Sequence, residues 1–411
     1  MTDLSALTDA LLLAAKGAGA EAADAIAVDG TSVSVDVLKG ALEQAERSEG
    51  VEIGLRVLMG RRQACVSASD ISSGTIDRMA ERAVAMAREA PEDPHAGLAD
   101  PDMLARNLDA GPLDLEDGAE PLSPAELQDM AARAEAAALA VDGISQVSAA
   151  GAGTGDRRVR LAASNGFAGE YRRTGTSLSC IAITGEGTGM ERDYYADSRV
   201  HRADLESPEE VGRLAAERTV ARKGARKPPT GAYPVVYDER VASSLIGHLL
   251  AAVNGNAVAR GATFLRDAMG EAVLPAGLSL WEDPHLPRIS GSKPCDAEGL
   301  PTARRDILRD GVLERWILDL ATARKLGLES TANASRGTSA PPSPSVTNVI
   351  LTQGERSRDD LLAEMGTGLL ITSMIGSSIN ATTGDYSRGA SGFWVENGRI
   401  GHPVNECTVA G

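Results

Sequence analysis

RRVRLAASNGFAGEYRR, residues 157–173, alternates apolar and polar positions on either side of an Asn-Gly step. Period-two alternation sends successive side chains to opposite faces of a strand, and Asn165-Gly166 is suited to the positive backbone dihedrals of a tight hairpin. The stretch predicts two antiparallel strands, Arg157–Ser164 and Phe167–Arg173. Farther out, Ile144–Ala150 and Ser177–Thr184 also read as strand, so the hairpin grows into an antiparallel sheet. GAGTGD at 151–156 and GEGTGM at 185–190 each end in a non-glycine where G-x-G-x-x-G needs glycine, and both read as turns.

The surrounding chain supplies helices for such a sheet. Leu4, Leu7, Leu11 and Ala14–Ala15 recur at helical spacing, and TSVSVDVLKG (31–40) and VEIGLRVLMGRRQACVSASD (51–70) alternate as strands. Ser73–Glu89, Ala125–Val141 and Pro208–Lys223 are helical. The Pro- and Asp-rich passage from PEDPHAGLADPDML through LEDGAEPLSP has no period and reads as an exposed connection. ARKPPTGAYP (225–234) marks the domain boundary. The expected class is α+β: an N-terminal α/β domain, 1–226, with helices on a mixed sheet, and a C-terminal β-rich domain, 227–411, with few helices, Glu239–Val253, Leu320–Leu326 and Arg358–Met365.

Composition narrows the function. With 411 residues the chain exceeds what one core usually organises, and with 3% aromatic residues Ala, Val, Leu and Ile must fill the interior. A net charge of −17 repels a phosphate backbone, which argues against direct nucleic-acid binding. The best basic cluster, Arg222, Lys223, Arg226 and Lys227, reads as a solvated linker. Cys65, Cys180, Cys295 and Cys407 form no C-x-x-C pair, so free thiols in a reducing cytoplasm are expected. The N-terminus has an apolar run without a basic n-region, and no run reaches membrane-spanning length.

Catalytic motifs fail one at a time. GASGF at 389–393 misses the nucleophile elbow in its last two positions. LIGHLLAAV at 245–253 offers His248 on a helix, where metal hydrolysis would need a glutamate beside the histidine and a second histidine on the same face. Leu249, Leu250, Ala251, Ala252 and Val253 follow instead. Asp238 is placed to cap this helix, and a partly buried, hydrogen-bonded His248 is the favoured reading. His95, His201, His285 and His402 have no H-x-x-x-H partner.

Three later segments carry more. CDAEGLPTARRDILRDGVLERWILDLATARKLGLESTANASR (295–336), MGTGLLIT (365–372) and TGDYSRGASGFWVENGRIGHPVNECTVAG (383–411) resemble the TldD/PmbA family, known as peptidase U62 or modulator of DNA gyrase. GDYSRGASGFWVENG and GHLLAAVNGNAVARGATFLRD (247–267) are similar to its TldE/PmbA branch. The resemblance implies a cytoplasmic heterodimeric metalloprotease acting on unfolded peptides, in which a TldD-type partner carries zinc on an H-E-x-x-x-H helix. This chain would hold no cofactor or catalytic residue, with His248, Leu249 and Val253 at the degenerate positions. Family members continue beyond a PVNECTVAG-like segment; against that pattern the end at Gly411 means either a tail that was removed or unresolved, or missing final strands, which would leave a sheet edge uncovered.

Within that frame Asp385, Tyr386, Ser387 and Arg388 are candidates for lining a shared peptide cavity, against a simple turn in which Arg388 pairs with Asp385. Phe393 and Trp394 read as core or interface anchors ahead of an Asn397-Gly398 hairpin. Asp296, Glu298, Arg304 and Arg305 read as a solvated charged turn. A homodimeric peptide-binding scaffold without protease activity is the alternative function, and direct binding to DNA or gyrase is disfavoured by charge.

Overall fold

Helix, three strands, helix: the N-terminal half uses this order twice. In the computed structural model, which describes residues 2–376 and 379–411, the first unit is α1 (Leu4–Gly17), β1 (Ala22–Leu38), β2 (Ala41–Met59), β3 (Arg62–Ala68) and α2 (Ser73–Glu89). The second is α3 (Pro124–Leu139), β4 (Ile144–Ala163), β5 (Ala168–Thr184), β6 (Glu191–Arg199) and α4 (Pro208–Ala221). The units join where β1 pairs with β4, giving the strand order β3-β2-β1-β4-β5-β6. All of these pairings are antiparallel, which corrects the mixed sheet expected here.

Alternation along β1 decides the layering. Ala23, Ala25 and Ala27 point into the core under α1 and α2, and Val33, Val35 and Val37 continue the same face into the core under α3 and α4. The even-numbered Ile26 and Val28 point the other way, toward Val159, Phe167 and Cys295. One face of the sheet thus lies under four helices, and the other receives part of the C-terminal region. At the β1–β2 turn Lys39 and Gly40 have φ of 55° and 73°. The buried Glu135 carboxylate of α3 accepts both of their N–H groups, at 2.6 and 2.7 Å.

Two turn readings change. GAGTGD lies inside β4, paired on one side with β1 and on the other with β5, so its glycines sit in a fully hydrogen-bonded ladder. GEGTGM is a turn, with Gly185 at φ 77°. The Asn165-Gly166 connection spans Ser164–Phe167, and only Gly166 takes a positive φ, 97°. Asn165 acts through its side chain instead, accepting from the Phe167 N–H at 3.1 Å and donating to the Ala99 carbonyl at 2.9 Å.

The C-terminal region begins with β7 (Val235–Tyr237), α5 (Glu239–Ala252), α6 (Gly255–Ala259), β8 (Leu280–Glu282), β9 (Arg305–Arg309), β10 (Val312–Leu313) and α7 (Leu320–Leu326). It continues through β11 (Ala334–Ser335), β12 (Ser343–Pro344), β13 (Val349–Leu351), α8 (Arg358–Met365), β14 (Gly368–Ile375), β15 (Ser387–Glu396) and β16 (Arg399–Ala410). One sheet runs β10-β9-β8-β13, β11 pairs with β12, and a third sheet, β16-β15-β14-β7, holds the parallel pair β7 and β14. Asn397 and Gly398, at φ 51° and 73°, close the β15–β16 hairpin as expected from the sequence.

Ion pairs fasten this region to the N-terminal sheet. The carboxylate of Asp24 on β1 accepts from Arg56 Nε at 2.7 Å and from Arg336, whose side chain is completely buried. Beside it Thr338 lies against Gly54, where a Cβ would meet the Thr338 carbonyl oxygen at 2.1 Å. Arg222, read above as part of a solvated linker, is instead largely buried and pairs with Asp193 at 3.6 Å, while Arg240 reaches Asp193 at 3.2 Å. The supposedly solvated turn is corrected too. Asp296 is 1% exposed, and its carboxylate accepts from the N–H groups of Glu298, Leu300 and Ala334. Arg305 bonds the Thr331 carbonyl, and Arg304 stacks 5.2 Å over the Trp281 ring.

Burial pushes the Asp24 carboxyl up, but the Arg56 and Arg336 guanidiniums outweigh it and hold the group below its ordinary 3.8. Asp24→Ala would strand two buried cations and is expected to cost about 3–5 kcal/mol in urea unfolding. The parent chain's Asp24 contribution is complete above the unfolded-chain value and is lost as pH falls through the lower folded value. The Ala variant should therefore lose less stability on acidification than the parent.

Candidate functional site around His248

Local chemistry sets both ends of α5. Asp238 caps its start, accepting the Arg240 N–H at 3.3 Å and the Arg240 Nε at 3.0 Å. At the other end Val253 donates to the Leu249 carbonyl, while the Val253 carbonyl accepts from Ile317. Val253 is fully buried among Leu280, Leu308, Leu313 and Ile317, and Leu249 and Leu250 pack on the same cluster. This face of the helix belongs to the core.

His248 lies off that stripe. Its ring meets the Tyr386 ring edge-on, with centroids 5.8 Å apart and planes at 68°, and its buried Nε2 has no hydrogen-bond partner among the described residues. The Tyr386 hydroxyl donates to Met374 Sδ at 3.1 Å. Tyr237 of β7 joins them: burial, then its hydrogen bond with Tyr386, push its phenol up to about 12. Burial, reinforced by the Arg388 charge, holds the His248 imidazole below its ordinary 6.5. Arg388 Nε is likewise buried without a partner.

Alternation explains which of the GDYSRG residues gather here. Tyr386 and Arg388 stand two apart and share the side facing His248, whereas Asp385 and Ser387 are exposed. Asp385 accepts from the Thr383 hydroxyl at 2.6 Å and forms no ion pair with Arg388. Trp394 packs with Leu369, Ile371 and Val404, its ring edge-on to Tyr233 at 5.0 Å, and Phe393 packs against Leu362, Leu370 and Val395. Both rings are interior packing of the β14–β15 sheet.

Sequence profiles of three PmbA/TldA metallopeptidase domains match this chain: domain 1 over residues 23–87, the central domain over 117–223 and the C-terminal domain over 230–411. The chain belongs to the PmbA/TldD metallopeptidase family. It is 41% identical to metalloprotease PmbA of Escherichia coli O157:H7 over 409 residues, 99% of this chain and 87% of that one. A metalloprotease PmbA homologue of Haemophilus influenzae is 37% identical over the same shares. The fold is similar to a Bacteroides thetaiotaomicron protein described as a candidate modulator of DNA gyrase, with a TM-score of 0.91, 27% identity, and coverage of 99% of this chain and 90% of that one.

A PmbA/TldD-type zinc helix would require donors that this site does not offer. Zinc takes nitrogen, sulfur or carboxylate ligands, yet beside His248 stand Leu249, Val253 and two phenols, with the Arg388 guanidinium adding positive charge. Among the described residues no three His, Cys, Asp or Glu side chains gather as a metal site. The residues around His248 do not fit zinc.

Sequence reading passed over the open face of the N-terminal sheet. A groove of about 750 Å³ runs across it, bordered by Thr31, Glu52, Ser67, Arg157 and Arg173. The signal was the arginine pairs at 157–158 and 172–173, which a hairpin brings opposite each other.

Two outcomes test this packing. His248 is expected to titrate below 6.5 in the folded chain, and Arg388→Met to raise that midpoint, as read from imidazole proton shifts against pH; a parent midpoint at or above 6.5 would contradict it. Val253→His would set a polar ring among fully buried aliphatic groups and should lower stability by about 1–3 kcal/mol in urea titration.

Proposed function

We propose that this chain is the non-catalytic, TldE/PmbA-type subunit of a heterodimeric zinc peptidase that processes unfolded peptides. The observation that carries the reading is on α5. His248 stands where a first zinc ligand would stand, while Leu249 and Val253, at the glutamate and second-histidine positions, are committed to core packing. A TldD-type partner would supply zinc and base, and this chain would supply part of the cavity wall, with Tyr386 and Arg388 nearest its degenerate helix and Asp385 and Ser387 exposed beside them.

Other features support the reading. The groove on the open face of the sheet, about 750 Å³, offers room for extended backbone. Four cysteines without disulfides agree with work in the cytoplasm. No helix among the described residues is long and apolar enough to cross a membrane. With a net charge of −17, an effect on DNA topology would run through peptide proteolysis and not through DNA contact.

The test is cleavage of an unfolded peptide by the purified chain, alone and mixed with a protein of the H-E-x-x-x-H type. Cleavage is expected only in the mixture, together with a stable one-to-one complex. Zinc-dependent cleavage by the chain alone would overturn the assignment, and persistent self-association without complex formation would favour a homodimeric scaffold.

A further inference from the structure

Where residues 291–297, 334–336 and 345–347 fold over the open face of the N-terminal sheet, the groove narrows into a cavity of about 270 Å³. Ile26, Val159 and Tyr171 form an apolar wall, and Arg173, Lys293 and Arg336 form a cationic one. Arg157 and Arg173 border both spaces, so the cavity adjoins the groove.

The charges on the cationic wall are poorly answered. Arg157 and Arg173 are direct cross-strand partners on β4 and β5, and like charges placed so oppose pairing. On the helix-covered face the neighbouring Arg158 and Arg172 are matched by Asp29 and Asp156. On the cavity face Arg173 spends its terminal nitrogens on the Ser290 and Ser292 carbonyls, stacks 4.9 Å over Tyr171, and leaves Nε buried without a partner. Arg336 gives Nη1 to Asp24 and Nε to the Gly337 carbonyl at 3.3 Å, and its buried Nη2 has no partner among the described residues. Lys293 donates to the Ala334 carbonyl at 3.1 Å.

Asp296 and the buried Glu282 answer the Lys293 charge in part. Asp296, the acidic residue on the lining, has both oxygens engaged by backbone N–H groups. Burial, then repulsion from Asp296 and Asp319, raises the Glu298 carboxyl well above its ordinary 4.5. In an acidic protein this sets Arg173, Lys293 and Arg336 on the lining of one cavity, next to aliphatic side chains.

We propose that this cavity binds the C-terminal carboxylate of an extended peptide whose last side chain is apolar. Arg173 and Lys293 take the carboxylate, because a guanidinium matches its planar oxygens and the ammonium adds charge. Ile26, Val159 and Tyr171 take the side chain, and the preceding residues lie along the groove. The volume suits one residue with its carboxylate and not a chain passing through. This inference rests on the peptide-handling role proposed above and names the end of the peptide that this subunit holds.

The experiment measures binding of the full chain to an unfolded peptide ending in leucine, as free acid and as C-terminal amide. The acid is expected to bind about tenfold to a hundredfold more tightly, the range of charge-assisted hydrogen bonds, and Lys293→Met should remove most of that difference without shifting the melting temperature. Equal or absent binding of acid and amide overturns the proposal, as does a difference that survives Lys293→Met. An amidated peptide with an internal glutamate that binds as tightly as the free acid would overturn the terminal assignment. Cleavage of the same peptides after addition of a TldD-type partner is scored separately, so failure of the subunit role is distinguishable from failure of the carboxylate site.

Discussion

Asp24, buried between Arg56 and Arg336, is the contact on which the arrangement of this protein turns. It lies on the central strand of the N-terminal sheet, and one of its two cations comes from a segment more than three hundred residues later. Pairs of this kind gain little over apolar packing, but removing one member exposes the full desolvation cost of the others. The pair therefore fixes which part of the C-terminal region meets the sheet. Gly54 lets the Thr338 backbone close against β2, and the cavity beneath Arg336 follows from that docking.

A second set of charges places α5. Glu191 and Asp193 on β6 hold Arg222, Arg240 and Asn405, so the degenerate helix and the β14–β15 sheet are tied to the edge strand of the N-terminal unit. On α5, Leu249 and Val253 belong to the core, and the open sheet face carries a groove beside a cationic cavity. In the proposed subunit role the groove would hold peptide while a partner supplies hydrolysis.

Much of this was legible in the sequence. The helices expected at Ser73–Glu89, Leu320–Leu326 and Arg358–Met365 have the bounds found in the structure, and LIGHLLAAV already showed a histidine without base or second ligand. Other features depend on contacts that no local pattern encodes. GAGTGD read as a turn because glycine weakens isolated strands, yet ladders on both sides keep it extended. ALEQAERSEG (41–50) has no apolar alternation because it is exposed on both faces, and hydrogen bonding to β1 alone makes it strand. Asp296 looked solvated because its partners are backbone N–H groups, including that of Ala334. The arginines of residues 157–173 were visible, but only register shows that two of them face each other over a cavity.

Zinc stoichiometry of the complex reconstituted with an H-E-x-x-x-H partner tests the central claim most directly. The account predicts one zinc ion per pair of chains, unchanged by His248→Ala in this chain. Two zinc ions per pair, or loss of zinc in the His248→Ala complex, would contradict it.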